Sequence, residues 1–345
     1  MIGAPIMAID IYQHIQAGLV EKRQVLNEFL ETASEVEKDV CLCDDETCIE
    51  EHLHVIDESL GKLEEGTLGI CKICQGIVEA SLLEMDYTVA VCLDHYSELE
   101  RRSLESELEL SQIVQRALMP QRAPVIAGVE VAAFSRPAAI IGGDYFDFFK
   151  FKDGTHGLVI ADVSGHGVSA GMLMSSLQTA LQTMAPDTDS PAEILERINR
   201  FYIHNIRFTT FVTVFLARYD ANDRTLTYVN SGHNPPAVFR KSTAEMDWLT
   251  RTAPAIGLAE EYFPRTETVK LSEGDVLLMY TDGVTEAMNI DMEQFGQERL
   301  AEFIQNGADL TASDMLQVVR QGISAYSGDV PLADDLTLVA LKVSV

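Results

Sequence analysis

Basic residues are scarce. The 345-residue chain carries 25 Lys and Arg against 54 Asp and Glu, a formal net charge of −29 with histidine neutral. An acidic excess of that size repels phosphate backbones and anionic lipid headgroups, which argues against nucleic acid or a membrane surface as a direct partner. Long apolar runs are missing as well: no stretch approaches the roughly 20 apolar residues of a spanning helix. The opening "MIGAPIMAIDIYQH" has neither the basic n-region nor the long apolar core of a secretion signal. The expectation is a soluble, cytoplasmic protein. Cysteine is absent beyond residue 92; Cys41, Cys43, Cys48, Cys71, Cys74 and Cys92 all lie before the remaining three quarters of the chain. Clustering of that kind points to metal or redox chemistry in one small module. Internal repeats and low-complexity tracts are also absent. What is present is a globular composition, 47% hydrophobic, on a chain long enough for two or three units.

The N-terminal part reads as helical. Ile15, Leu19, Leu26, Phe29, Ala33 and Val36 step by threes and fours, with Lys22 the one polar member of the stripe, and Ile49, Leu53, Ile56, Leu60 and Leu63 repeat the spacing. Two such stripes around the polar tip "CLCDDETC" predict an antiparallel helical hairpin; two amphipathic helices in an ordinary small bundle fit the spacing equally well. Residues 96–119, without Gly or Pro and ending at Pro120, predict a continuous linker helix. Its two partial stripes, one through Leu104 and Leu108 and one through Leu110, Ile113, Val114 and Ala117, suit burial on a neighbouring domain or pairing with a second copy in a homodimer.

From Val129 the texture changes. "VEVAAF", "GLVIA", "TFVTVFLARY", "TLTYV", "DVLLMY" and "LTLVALKV" are β-branched or aromatic runs broken by turn residues. Helices are expected near 168–184, 191–205 and 311–325, the second opened by Ser190-Pro191-Ala192-Glu193, a capping box with proline at the first helical position. Strands, then a helix pair, then more strands is not a βαβ alternation, and an α+β fold of layered antiparallel sheet fits better.

Cys71-x-x-Cys74 and Cys92-x-x-His95 have the spacing of two zinc knuckles. Thiolate and imidazole suit Zn²⁺, and a closed four-ligand site is structural; disulfide pairing or simple burial is the alternative. The hairpin followed by "GTLGICKICQGIVEASLLEMDYTVAVCLDH" resembles the DksA/TraR zinc-finger family, with His95 where many members have a fourth Cys. Members of that family insert an acidic hairpin tip into the secondary channel of RNA polymerase, which makes polymerase a partner to consider, with Asp44 and Asp45 at the tip here. Short helices, and Cys41, Cys43 and Cys48 crowding the tip, depart from that pattern. Those three cysteines suit redox chemistry or a second metal without deciding between them.

Four later segments end a strand or turn on an acid: "IIGGDYFDFF" with Asp144, "VIADVSGHG" with Asp162, "LLMYTDGVTEA" with Asp282, and "LADDLTLVAL" with Asp334 and Asp335. An apolar strand delivering a carboxylate to its end is costly unless the charge meets a partner, and these motifs hold no Lys or Arg. Hard divalent cations, Mg²⁺ or Mn²⁺, are the simplest partners, and two of them would supply hydroxide and take up charge during phosphoryl transfer. An Asp-Gly turn explains any one motif alone; four together are harder to explain so.

In order and context, "GGDYFD", "ADVSGHGVSAG", "TFVTVFLARYD", "NSGHNPP", "GDVLLMYTDGVTEA" and "DDLTLVAL" resemble the type 2C metal-dependent protein phosphatases (the PPM superfamily), in particular the bacterial SpoIIE/RsbU-like branch, over about residues 120–345. The resemblance implies a PPM-type antiparallel β-sandwich flanked by helices and a division into 1–95 (hairpin and zinc finger), 96–120 (linker) and 121–345 (phosphatase). It implies Asp162 as the carboxylate bridging two Mg²⁺ or Mn²⁺ ions, the Val163 carbonyl as a further ligand, Asp282 and Asp334 at the second metal, and Asp144 ligating directly or through water. Asp335 would act only through water, and Asp147 from behind the ligands. His166 and His233 invite a general-acid role, although bonding to turn backbone suits each better. Arg136 lies near, but out of register with, the phosphate-holding arginine of the animal enzymes.

The expected function is therefore a Mg²⁺/Mn²⁺-dependent phosphoserine/phosphothreonine protein phosphatase. Its substrate would be a phosphorylated STAS-domain anti-sigma-factor antagonist in bacterial partner switching, and the zinc module would control it through the 96–119 helix. The alternatives are a non-enzymatic polymerase-binding or scaffold protein acting through the zinc hairpin and, less compatible with the acidity, a two-metal phosphodiesterase or nuclease.

Overall fold

The computed structural model describes residues 46–79, 82–83, 87–165, 167–205, 211–328 and 330–344, together with Tyr12, Ile15, Gln16, Leu19, Val20, Arg23, Gln24 and Asn27. The chain divides into two compact units, one formed chiefly by Met1–Glu107, the other by Leu108–Ile206 with Thr210–Val345. Among the described residues no helix is long and apolar enough to cross a membrane.

In the first unit, helix α1 (Glu46–Glu64) presents Ile56, Leu60 and Leu63 on one face, where they pack with Ile15, Leu19 and Tyr87. Arg23 adds an ion pair to Asp57 at 3.3 Å, worth little in so exposed a position. Members of both expected stripes thus meet. Lys22, Leu26, Phe29, Ala33, Val36 and the tip with Cys41, Cys43, Asp44 and Asp45 lie outside the described residues, as do the side chains of Cys48 and Ile49. A second small core gathers Cys71, Val78, Leu82, Leu83 and Cys92, with Tyr12, Ile15 and Leu104 against it. Helix α2 (Glu98–Leu118) is one unbroken helix, and the division between units falls within it, at Glu107 and Leu108.

The second unit contains β1 (Val129–Arg136), β2 (Tyr145–Lys150), β3 (His156–Val163), α3 (Val168–Met184), α4 (Pro191–Asn205), β4 (Val212–Asp220), β5 (Thr225–Ser231), β6 (Ala237–Arg240), β7 (Glu245–Trp248), β8 (Glu267–Lys270), β9 (Val276–Tyr280), α5 (Asp282–Thr285), α6 (Gly296–Gly307), α7 (Ala312–Ser327) and β10 (Leu336–Val343). The strands form two five-stranded sheets, β1-β10-β9-β6-β7 and β2-β3-β4-β5-β8, with every pairing antiparallel. Leu158, Ile160, Phe215 and Ala217 of one sheet meet Val238, Leu277, Met279, Val339 and Leu341 of the other in a central core. The outer face of the second sheet, with Val159, Ala161 and Val163, is covered by Met174, Leu177 and Leu181 of α3 and Ile194, Leu195 and Ile198 of α4. The first sheet is covered by α6 and α7 through Leu300, Ile304, Met315, Leu316, Val319 and Ile323. Central strands buried on both faces need no polar alternation, which is why "GLVIA" and "VLLMY" read as continuous apolar runs.

The three expected helices form as α3, α4 and α7, while the short α5 and α6 are not foreseen from the sequence. The capping box forms by half. Ser190 Oγ accepts from Glu193 N at 3.2 Å, but the Glu193 carboxylate turns to Thr188 Oγ1 at 2.6 Å and to Arg197. The Ser190 N–H donates to Thr188 Oγ1 instead.

Candidate active site and a cysteine–histidine cluster

The β-sandwich delivers its acids to one end. Asp144 immediately precedes β2 and Asp162 is the penultimate residue of β3; the two strand ends are adjacent because Tyr145 pairs with Ala161. Asp282 follows the end of β9, and Asp334 and Asp335 precede β10, which is β9's neighbour. Thr281 ties the two sheets together here. Its Oγ1 donates to Asp144 Oδ2 at 2.7 Å and accepts from the Thr337 N–H at 3.0 Å.

The carboxylates act on one another. Burial first, and then the charges of Asp282, Asp334 and Asp335, push the Asp162 carboxyl up to about 8. Asp144 is raised well above the ordinary carboxylate range by burial, Asp162 and Asp335. Asp282 is raised by burial, Glu286 and Asp335. Among the described residues no Lys or Arg is ion-paired with Asp144, Asp162, Asp282 or Asp335. Buried like charges without a cationic side chain fit a site built for hard divalent cations, with carboxylates and the Val163 carbonyl as oxygen donors.

Asp335 plays a different part from the expected one through water. Both its oxygens are taken by main chain: Oδ1 accepts from Ala138 N–H at 2.7 Å, and Oδ2 from Gly143 N–H at 2.7 Å and Asp144 N–H at 3.3 Å. The carboxylate therefore shapes the turn that presents Asp144. Gly142 is required for space, since a Cβ there would lie 2.3 Å from Asp335 Oδ2. At Gly283 a Cβ would lie 2.1 Å from the Asp335 carbonyl oxygen, so glycine lets the Asp282 turn close against the Asp334–Asp335 segment.

Asp147 is joined to the other acids by no hydrogen bond among the described residues. It is buried and bonded to Tyr145 Oη at 2.7 Å, Gln182 Nε2 at 2.6 Å and the Phe148 N–H at 2.7 Å. His233 is buried too, with Nδ1 2.8 Å from Thr213 Oγ1 and its N–H donating to Asn230 Oδ1. Burial pushes its pKa down to about 3, which favours the neutral ring over an imidazolium acid near pH 7. Its ring bonds through Nδ1 to a side-chain hydroxyl on β4. His166 lies outside the described residues.

Sequence reasoning missed two groups. Thr281 sits in plain view beside Asp282, yet nothing local shows that it reaches Asp144. Gln115, on α2, donates from Nε2 to the Gly142 carbonyl at 2.6 Å and accepts from the Gly142 N–H at 3.2 Å.

A family model described as stage II sporulation protein E (SpoIIE) matches residues 152–344, more than half of the chain. The chain belongs to the SpoIIE family. It is 28% identical over 244 residues to the phosphoserine phosphatase RsbU of Bacillus subtilis, a match covering 70% of this chain and 71% of the relative. The SiaA-PP2C domain of Pseudomonas aeruginosa matches with a TM-score of 0.63 at 20% identity, over 70% of this chain and 98% of that domain, which is a likeness of fold. The RsbU and RsbW domains of a Mycobacterium tuberculosis protein match with a TM-score of 0.55 at 28% identity, over 64% of this chain and 61% of that one. This SpoIIE-family chain is a protein serine/threonine phosphatase with a PP2C-like fold.

In the first unit, ligand atoms of Cys71, Cys74, Cys92 and His95 lie within 4.8 Å of one another. The three cysteines are free thiols, so disulfide pairing does not hold them, and Cys74 Sγ is 3.7 Å from Cys92 Sγ. Burial opposes ionisation of Cys71, yet N–H groups of Cys74, Cys92 and Ile73 outweigh it and bring the thiol down to about 6. Cys92, buried beside two other sulfurs, is pushed up to about 11. Three thiols and an imidazole around one point fit a tetrahedral Zn²⁺ ion.

Proposed function

We propose that the chain hydrolyses phosphoserine or phosphothreonine on a partner protein, using two Mg²⁺ or Mn²⁺ ions held by Asp144, Asp162, the Val163 carbonyl, Asp282 and Asp334. The observation that carries this reading is the convergence of Asp144, Asp162 and Asp282, each driven above its ordinary pKa, at one end of the sandwich with no ion-paired Lys or Arg among the described residues. Bound divalent ions supply activated water and neutralise the phosphoryl oxygens. The chain's own residues do the placing: Asp335 shapes the turn before Asp144, Thr281 orients the Asp144 carboxylate, and Gly283 lets the Asp282 turn approach.

The substrate is proposed to be a phosphorylated STAS-type anti-sigma-factor antagonist in partner switching. Support comes from the likeness to RsbU, itself a phosphoserine phosphatase, and to a protein carrying RsbU and RsbW domains. The first unit is proposed to be a DksA/TraR-like module, residues 1–95, holding one structural Zn²⁺ through Cys71, Cys74, Cys92 and His95. It would act on the phosphatase, residues 121–345, through the helical linker 96–120. The exposed Leu110, Ile113 and Val114 on α2 support pairing of that linker with a second copy.

The test is hydrolysis of a phosphorylated STAS protein, a phosphoserine peptide and a phosphodiester, each with Mn²⁺ and with chelator. The expected result is Mn²⁺-dependent release of phosphate from the first two and none from the diester. Diester cleavage, or phosphate release that survives chelation, overturns the reading.

A further inference from the structure

The turn that carries Asp144 belongs to no sheet. From Pro137 to Asp144 the chain runs without regular structure between β1 and β2, so its main-chain polar groups need other partners. Asp335 takes the N–H groups of Ala138, Gly143 and Asp144. The other partners come from α2. Gln112 Nε2 donates to the Ile140 carbonyl at 3.0 Å, and Gln115 engages Gly142 on both sides, its Nε2 donating at 2.6 Å and its Oε1 accepting at 3.2 Å. A carboxamide bonded to both the C=O and the N–H of one residue fixes the two peptide groups that flank it, as a neighbouring strand would.

Ile141 of the turn is buried, and a cavity of about 410 Å³ lined by Gln112, Gln115, Phe134, Gly142, Asp144 and Asp335 borders the turn. On α3, Gly171 leaves the space the arrangement needs: a Cβ there would meet Ile141 Cγ2 at 2.4 Å and Gln115 Nε2 at 3.4 Å. Gln115 is therefore the group opposite Asp335 in a clamp on Gly142 and Gly143, and the next residue is Asp144.

We propose that Gln115 is a positioning residue of the phosphatase centre: by holding Gly142 it places Asp144 for a divalent cation. The proposal rests on the cation site argued above. It assigns a role to a residue that precedes the family match at 152–344 and touches no candidate ligand. Groups one bond behind metal ligands commonly change metal affinity tenfold or more when removed. Gln115 acts from one step further back, through main chain, so the loss should show in metal affinity more than in the turnover of the loaded enzyme.

The experiment uses the full chain. Gln115→Met keeps length and bulk and removes both hydrogen bonds; Gln115→Glu keeps the acceptor for the Gly142 N–H and sets an oxygen against the Gly142 carbonyl. Exposed Glu109→Gln on the same helix is the control. Mn²⁺ affinity is measured by calorimetry, metal-free melting by fluorescence of Trp248, and p-nitrophenyl phosphate hydrolysis across Mn²⁺ concentrations. The expected result is Mn²⁺ affinity weakened about tenfold in both Gln115 variants, a matching rise in the Mn²⁺ needed for half-maximal activity, turnover restored at saturating Mn²⁺, and a folded metal-free protein. A folded Gln115→Met that binds Mn²⁺ as tightly as the wild type overturns the proposal. So does unfolding of both variants, which would make Gln115 a residue of fold stability. A wild type that neither binds Mn²⁺ nor hydrolyses the ester sinks the underlying cation reading instead, a result distinct from tight binding retained in the variants.

Discussion

The two clusters of potential ligands solve opposite problems. Cys71, Cys74, Cys92 and His95 come from two short knuckles, present four soft donors around one point, and leave no ligand position open. Asp144, Asp162, Asp282 and Asp334 come from segments far apart in the chain and are brought together by two sheets, where burial and neighbouring carboxylates raise Asp144, Asp162 and Asp282. A closed soft set suits a structural ion whose binding is part of folding; an open hard set suits ions that share their coordination with water and phosphate. The difference teaches where structure is spent: local turns suffice for the first, while the second needs the whole sandwich plus glycines and backbone-directed acids to bring the strand ends close.

The largest effect that could break this contrast is loss of the zinc site. Structural zinc contributes about 10–16 kcal/mol to small metal-dependent domains. Cys71→Ser should therefore unfold the first unit, seen as loss of helical circular dichroism and new protease sensitivity, while p-nitrophenyl phosphate hydrolysis by the second unit persists. Equal loss of both would mean the units do not fold separately.

A smaller effect is expected at Gly283. The added Cβ of Gly283→Ala meets the Asp335 carbonyl oxygen at 2.1 Å, and overpacking of this kind costs about 1–3 kcal/mol. The melting midpoint reported by Trp248, the chain's single tryptophan, should fall, and Mn²⁺-dependent hydrolysis should fall further because Asp282 is displaced. Wild-type activity would show that the turn has slack.

The contribution of His233 depends on pH. Its pKa is about 3 in the folded chain and about 6.5 when unfolded, so the folded state favours the neutral ring. The stability this gives is fully present above about 6.5 and is lost as pH falls toward 3, by up to about 1.4 kcal/mol per pH unit. Denaturation of the wild type against His233→Gln should show a difference that shrinks between pH 7 and pH 5. A constant difference would place the ring in solvent. The smallest effect is at the α4 cap, where Ser190→Ala should cost about 1 kcal/mol. With Glu193 already turned to Thr188 and Arg197, Glu193→Ala should not reproduce that loss.

Much of this was legible in sequence, and the parts that were not share a cause. The central strands and helices 168–184 and 191–205 announced themselves through apolar runs and caps, and the acids through their position at strand ends. Strands β2, β6, β7 and β8 are not among the runs legible as strands: β6, β7 and β8 are each only four residues long, and β2 follows directly on the acid-bearing Gly-Gly-Asp turn. Helix α6 was passed over because Leu300 and Ile304 stand among polar neighbours on a helix of 12 residues. From sequence Asp335 is legible only as acting through water, and Gln115 not at all. Their partners, Gly143 and Gly142, are 192 and 27 residues away, and no local pattern reports a side chain bonded to distant main chain.

The central claim is that the acid cluster is catalytic and the thiol cluster is not. The most direct measurement compares phosphate release from one phosphoserine peptide, with Mn²⁺, by the wild type, Asp162→Ala and Cys74→Ser. The account predicts that Asp162→Ala abolishes release and that Cys74→Ser retains it. Release that survives Asp162→Ala, or that is lost only with Cys74→Ser, would contradict it.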